Sequence, residues 1–227
     1  MRATMDIVEL IQTQLALERI GLNGDGLLIR IPGPRPDDIA RVYVYRHRDG
    51  YALYLRHDVP ASIRERIRAL GPEVAYRDQE AIKGLLAEDK PCSEVFQGQT
   101  YLFPDALGPG QFPEAVRLTE AQRPLLEAYH PGMNVCDWTT YGIIRDGRIV
   151  STCTSAREDE RAGEAYVYTV PAYRKRGYGR QVTAAWAHHL RGQGKIAFYS
   201  HAWENPASQA VARSLDLRPC FALVNYS

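Results

Sequence analysis

Cysteine is scarce and scattered in this chain. Cys92, Cys136, Cys153 and Cys220 are the only four in 227 residues, and no two form a Cys-x-x-Cys pair. That arithmetic argues against a disulfide framework or a zinc site and for reduced thiols in a cytoplasm. Net charge is nearly absent as well: Lys+Arg 28 against Asp+Glu 27 leaves a formal +1. No global basic field points to nucleic acid. No apolar run has the length of a membrane span, and Met1-Arg2 leads directly into a mixed polar helix with no signal-peptide pattern. There is no Gly-x-Ser-x-Gly elbow, no Walker loop, no internal repeat and no low-complexity tract. These absences predict a soluble cytoplasmic protein with no metal, no membrane and no nucleic-acid partner. A hydrophobic content of 45% still allows a substantial core, in one large domain or two small ones.

The stretch that organises the chain runs Ala165-Tyr-Val-Tyr-Thr-Val-Pro-Ala-Tyr-Arg-Lys-Arg-Gly-Tyr-Gly-Arg-Gln-Val182. Its first part alternates and is rich in aromatic and β-branched residues, as a buried strand ending at Pro171 would be. After Gly177 and Gly179, Val182, Trp186 and Leu190 recur at helical spacing, with Gly192 as a stop. Arg174, Lys175, Arg176 and Arg180 crowd the predicted helix start, where free N–H groups and the macrodipole favour negative charge. Each misplaced cation costs roughly 0.3–1 kcal/mol. Glycines that admit close approach, a helix N-terminus and guanidiniums together describe a cradle for phosphate or pyrophosphate. A dinucleotide fingerprint would need a third glycine where Val182 stands, so this cradle is of another kind.

Arg174-x-x-Gly177-x-Gly179, after a strand ending Thr-Val-Pro-x-Tyr-Arg, resembles the acyl-CoA pyrophosphate loop of the GNAT superfamily of N-acetyltransferases. The run Tyr199-Ser-His-Ala-Trp-Glu-Asn205-Pro-Ala-Ser208-Gln-Ala-Val-Ala-Arg-Ser-Leu215 is similar to that family's next strand, asparagine and helix. The resemblance covers roughly residues 114–227. It implies a mixed α/β (α+β) fold, a central sheet flanked by helices, with an amino-terminal α/β extension. Residues 1–106 would form that extension and 107–227 the acetyltransferase-like domain, with Pro104 to Pro113 as the linker.

Elsewhere the pattern is local. Asp6 to Ile20 reads as an amphipathic helix ending at Gly21. Arg41 to Arg56 is two alternating runs about Asp49-Gly50, a strong hairpin signal, and Thr139 to Thr154 repeats it about Asp146-Gly147. Pro60 to Leu70, Asp78 to Leu86 and Thr119 to Tyr129 read as helices, and Gln99 to Phe103 as a strand. Ser155 to Gly163 reads as a charged loop into the central strand from Glu164. Lys195 to Ser200, Pro206 to Leu215 and Cys220 to Tyr226 complete a strand, helix, strand order. One strand after the last helix is fewer than the family usually has, and the amino-terminal part is expected to supply the missing neighbour.

The resemblance also implies the chemistry. Acetyl-CoA would be the acyl donor, held by Tyr168, Thr169, Val170, Arg174, Lys175, Arg176, Gly177, Tyr178, Gly179 and Arg180, with Asn205 and Ser208 closing the pantetheine slot between two strands. A small-molecule or peptide amine would attack the thioester, with a backbone N–H of the central strand facing the developing oxyanion. An aliphatic amine must first lose a proton, its pKa being about 10, and Glu164 is the candidate base. Alternation places Glu164 on the opposite face from Thr169; Glu158, Asp159 and Glu160 are alternative bases. Many family members carry a tyrosine seven residues after the asparagine as general acid, and here that position is Ala212. Ser208, Tyr199 and Tyr226 are the alternative acids. His201 is the histidine nearest the slot, Trp186 reads as core, and Trp203 stands beside Asn205 as a possible pocket wall. Two readings follow: an acyl-CoA-dependent N-acyltransferase, or a catalytically degenerate acyl-CoA-binding or sensing protein.

Overall fold

The computed structural model describes residues 6–32, 39–105, 107–129 and 139–227; Cys136 and Trp138 lie outside them. In chain order the elements are α1 (Ile7–Leu17), β1 (Ile20–Leu22), β2 (Leu28–Arg30), β3 (Val42–His47), β4 (Gly50–Leu55), α2 (Ala61–Leu70), α3 (Pro72–Arg77), α4 (Gln79–Ala87) and β5 (Val95–Leu102), then β6 (Val116–Arg117), α5 (Arg123–Tyr129), β7 (Thr140–Arg145), β8 (Arg148–Glu158), β9 (Ala162–Thr169), α6 (Tyr178–Gly192), β10 (Ile196–Ala202), α7 (Pro206–Ser214) and β11 (Arg218–Tyr226). They form two compact units. The first takes residues through Thr100, His201–Glu204 and Pro219–Ser227; the second takes Tyr101–Ser200 and Asn205–Arg218.

In the first unit the strand order is β4-β3-β11-β5. The last strand of the chain therefore pairs with an early one, antiparallel, from Ala222↔Arg46 to Tyr226↔Val42. Period-two alternation sends Val42, Val44, Ala222, Val224 and Tyr226 to one face, against Ile63 and Ile67 of α2 and Ile82 and Leu86 of α4. Each such fully buried aliphatic side chain contributes about 1.5–3 kcal/mol. Tyr45 takes the other face and meets Phe221 edge-on at 5.3 Å. Asp78 caps α4 by accepting the Ala81 N–H at 3.0 Å, and Arg41 covers its other end. The Arg41 guanidinium donates to the carbonyls of Leu86 and Lys90 and pairs with Asp89 at 2.6 Å. Helix α1 is shorter than its pattern predicts: it stops at Leu17, and Arg19 turns left-handed at φ 59 into β1. The β1–β2 hairpin left no readable alternation, because each of its strands is three residues long.

In the second unit the order is β10-β9-β8-β7-β6, with β10 parallel to β9 and the other pairs antiparallel. The result is a mixed sheet flanked by helices. Helix α6 lays Val182, Trp186 and Leu190 on one face, packed with Cys153, Ala197, Tyr199 and Ala212. It sits close because Gly163 has no side chain: a Cβ there would lie 2.6 Å from Leu190 Cδ1. Trp186, fully buried, satisfies its indole N–H on Ser155 Oγ at 2.9 Å. The opposite face carries Leu126 of α5 on Ile149 and Leu118.

Three boundaries differ from the sequence pattern for physical reasons. The stretch 155–163 is mostly strand, since β8 runs to Glu158 and β9 starts at Ala162. Glu158 pairs with Lys195, Arg157 pairs with Glu164, and Asp159 accepts the Arg161 and Ala162 N–H groups, so the strands accommodate these charges. The helix expected from Thr119 opens as a 3-10 turn over Glu120–Gln122 and becomes α-helical at Arg123. Helix α6 passes through Gly192, and its last carbonyls are taken by the N–H groups of Gly194 and Lys195.

Candidate functional site

The site begins with a ladder that stops early. Strands β9 and β10 pair at Ile196↔Ala162, Ala197↔Gly163 and Phe198↔Glu164, and the register ends there. Strand β9 continues through Ala165–Thr169, still paired on its other side to β8 as far as Ser151↔Thr169. Its amides can be assigned directions. The Val170 N–H donates to the Val150 carbonyl at 3.0 Å, and hydrogen-bonded pairs alternate along an antiparallel ladder. Tyr166 and Tyr168 thus turn their backbone groups toward β8, while Val167 and Thr169 turn theirs toward the side where pairing with β10 has ended. The Thr169 carbonyl accepts Arg174 Nε on that side at 3.0 Å. The arrangement is a slot lined by backbone, fit for an extended chain bearing amides.

Beyond the slot's open end lies the basic turn. Gly177 is the N-cap of α6 in the left-handed region at φ 77, and Lys175 takes the same region at φ 61. A Cβ on Gly177 would meet nothing within 4 Å, so the space over the helix start is open. Helix α6 has no side-chain cap and no acidic residue in its first turn. Its first N–H groups therefore point outward unsatisfied by the protein's own capping residues. Arg180 is braced by a bond from Nε to the Ser214 carbonyl at 2.9 Å, and Arg176 stacks on Tyr173 at 5.1 Å. Arg174, Lys175 and Arg176 are exposed. An uncapped helix start ringed by cations is an anion site in geometry and in field.

The remaining expected residues occupy definite places. Val170 has its N–H on Val150 and its carbonyl on the Tyr173 N–H, so both backbone groups are used. Tyr178 is turned toward β7, where its hydroxyl accepts Arg145 Nε at 3.3 Å under the stacked guanidinium. Gly179 packs its Cα side near Thr169 and Val167. Asn205 caps α7, its Oδ1 accepting the Ser208 N–H at 3.0 Å. The Ser208 carbonyl accepts the Tyr199 hydroxyl at 3.3 Å. Tyr199 stands one residue past the end of the β9–β10 register, and burial pushes its phenol up to about 12, so it is a protonated donor at neutral pH. Ala212 is 3% exposed within the same cluster.

Glu164 lies on the face opposite Thr169, with Tyr166 and Tyr168, and is paired to Arg157 at 2.8 Å. Two groups on this face were not singled out by the sequence. Arg157 looked like loop charge, and Tyr129 like the end of a helix. Tyr129 donates its hydroxyl to the Tyr168 carbonyl at 2.8 Å and meets the Tyr168 ring at 5.5 Å. Burial raises its pKa, keeping it a donor. Glu158 is tied to Lys195, Ser155 and Thr139, so it is a structural carboxylate, and Asp159 caps the turn through the Arg161 and Ala162 N–H groups. His188 and His189 contact the Leu107 carbonyl and Arg117 respectively. In the first unit, His201 is 7% exposed with Nδ1 on the Ala202 carbonyl, Trp203 is against Tyr76, and Tyr226 donates to the Ala75 carbonyl. Cys153 is fully buried, and burial pushes its thiol up, so nothing marks it as a nucleophile. Among the described residues no cluster of His, Cys, Asp and Glu could hold a metal, and no helix is long and apolar enough to cross a membrane.

Residues 111–216 match the acetyltransferase (GNAT) family. No curated protein matches the chain. Among solved structures it is similar to an acetyltransferase of the GNAT family from Colwellia psychrerythraea, 12% identical over 98% of this chain and 97% of that one, TM-score 0.53. A GCN5-related N-acetyltransferase from Kribbella flavida is 15% identical over 99% and 95%, TM-score 0.46. A GCN5-related N-acetyltransferase-like protein from Streptococcus suis is 12% identical over 82% and 84%, TM-score 0.47. At 12% identity the likeness to the Colwellia psychrerythraea protein is one of fold. The basic turn, the slot and the capping asparagine all fall within the matched segment, and residues 111–216 form a domain of the acetyltransferase (GNAT) family.

Proposed function

We propose that the protein is an acyl-CoA-dependent N-acyltransferase that uses acetyl-CoA and a primary amine, supplied by a small molecule or a peptide. The observation that carries this reading is the pair formed by the uncapped, cation-ringed start of α6 and the slot beside it. Acetyl-CoA, when bound, supplies an activated acyl thioester and a pyrophosphate. The open space over Gly177 and the outward first-turn N–H groups fit that pyrophosphate, with Arg174, Lys175, Arg176 and Arg180 around it. Val167 and Thr169 would offer strand-type amides to an extended arm, and the Val167 N–H would supply a donor to the oxyanion that develops on the thioester carbonyl. The Asn205 side chain uses its oxygen on the α7 cap, and its NH2 would be the donor to the arm. Glu164 is the carboxylate on the acceptor face, held by Arg157, and Tyr129 and Tyr168 wall that face. Tyr199, a protonated phenol at neutral pH, would return a proton to the departing thiolate.

A second reading, an acyl-CoA binder or sensor with little turnover, is favoured by Ala212 and by the neutralising contact of Arg157 on Glu164. Calorimetric titration with acetyl-CoA, followed by an amine panel read by release of free CoA thiol, separates the two. We expect a Kd of about 1–100 μM or tighter, lost in Gly177→Glu, whose carboxylate enters the open space over the helix start. Binding without amine-dependent thiol release selects the sensor. A folded wild type that does not bind sinks both.

A further inference from the structure

We infer that the first unit carries a separate ligand site for a planar aromatic carboxylate, built from Arg46, Tyr51, Tyr76 and Trp203.

The four residues come from four different segments. Arg46 and Tyr51 are directly opposed on β3 and β4, Tyr76 is on α3, and Trp203 is in the 201–204 segment, fixed by its backbone N–H on the Gln97 carbonyl at 3.1 Å. Their rings converge on Tyr76. Tyr51 lies 5.6 Å from it and Trp203 6.5 Å, and the Arg46 guanidinium stands over the Tyr76 ring at 5.3 Å. Trp203 is 38% exposed, so one wall of the cluster faces solvent.

Two features do not belong to a finished core. The Tyr76 hydroxyl is buried and has no hydrogen-bond partner among the described residues, although Tyr76 as a whole is only 7% exposed. Buried hydroxyls are nearly always satisfied, and an orphan one calls for an explanation. The electrostatic neighbours of that hydroxyl are Arg46 and Tyr51. Arg46, which is exposed, has no carboxylate within ion-pair distance among the described residues. Its neighbour Arg77 is occupied, paired with Glu73 at 3.1 Å.

The chemistry of the ligand follows from what the cluster offers. It has donors to spare in the Arg46 guanidinium and the Tyr76 hydroxyl, and the charge around them is positive. The missing partner is therefore an acceptor with negative charge. Guanidinium and phenol together suit a carboxylate, which accepts from both. The Tyr51 and Trp203 rings already pack on Tyr76, and the exposed part of Trp203 is the face against which a planar apolar body packs with favourable ring geometry. A cationic ligand is excluded by Arg46 and Arg77.

The site is tested in the full-length protein, without acyl-CoA, by calorimetry with 3-phenylpropionate, L-phenylalanine, phenethylamine and acetate. Both aromatic carboxylates bind, and phenethylamine and acetate bind at least tenfold more weakly. Arg46→Met weakens 3-phenylpropionate at least tenfold. Tyr76→Phe weakens it about fivefold while leaving the melting temperature unchanged or higher, since the hydroxyl it removes has no partner to lose. Gly177→Glu leaves this binding intact, which keeps the result independent of the acyl-donor reading. Failure of the folded protein to bind either aromatic carboxylate, or equal binding of phenethylamine, overturns the inference. So does a Tyr76→Phe variant with a lowered melting temperature.

Discussion

The Arg157 guanidinium meets the Glu164 carboxylate at 2.8 Å, two side chains set opposite one another by the β8–β9 ladder just past its bulge at Ala156. Without that bulge the register would slip by one residue and each side chain would turn to the wrong face. The carboxylate side chain is 9% exposed and the guanidinium 35%, so Glu164 depends on Arg157 more than the reverse.

Removing Arg157 should therefore strand a buried charge. Arg157→Gln is expected to cost about 2–4 kcal/mol, less than a fully buried pair because the guanidinium is partly wet. Glu164→Gln should cost less, and the double variant less than the sum. Urea midpoints of the four proteins check this; strict additivity would mean the contact contributes nothing.

Glu158 gives the stability a sign with pH. Burial opposes its charge, but hydrogen bonds from Lys195, Ser155 and Thr139 outweigh burial and hold its pKa below the ordinary 4.5. A carboxyl lowered on folding contributes stability that is present above its unfolded pKa and lost as pH falls through the folded value. Acid unfolding below about pH 4.5 should be shallower in Glu158→Gln than in the wild type, which thermal melts from pH 6 to pH 3 will read.

Tyr199 and Ala212 share one packed cluster, and only one can present a phenol. Tyr199→Phe should retain acetyl-CoA affinity and lower kcat about tenfold or more, with the loss smaller for acyl donors whose thiol is more acidic. Ala212→Tyr should fail to restore turnover and cost more than about 1–3 kcal/mol, because the site is already filled. Equal kcat for wild type and Tyr199→Phe would remove the phenol from the reaction.

Arg41 binds the carboxy-terminal end of α4 to the first residues of β3. Its side chain is 6% exposed and serves the carbonyls of Leu86 and Lys90 as well as Asp89. Arg41→Met should destabilise the protein by about 2–4 kcal/mol, since Asp89 and the helix carbonyls lose a charged donor together. Asp89→Asn should cost about 1 kcal/mol, because those carbonyls keep theirs. Chemical denaturation distinguishes the two.

Much of the site was legible because it is built from neighbours in sequence. Gly177, with its cations and the helical run Val182, Trp186, Leu190, needs only local rules: a left-handed residue, a helix start and a misplaced charge. The Asn205 cap three residues before Ser208 is equally local, as are the Asp49-Gly50 and Asp146-Gly147 turns. Arg157 was illegible, because its role depends on a bulge and on a strand partner seven residues on. Tyr129 was illegible because its bond crosses to Tyr168, a contact between elements far apart in sequence.

The sequence by itself determined the period of each long element, the turn chemistry between hairpin strands and the conflict of charge with helix dipole at α6, since all of these act within a few residues. Only the tertiary structure decided where the β9–β10 ladder ends, that β11 pairs with β3, and that Tyr76 is buried with its hydroxyl unpartnered among the described residues. Those outcomes rest on the packing of whole faces against one another, and packing is a property of the assembled elements that no single stretch of chain encodes.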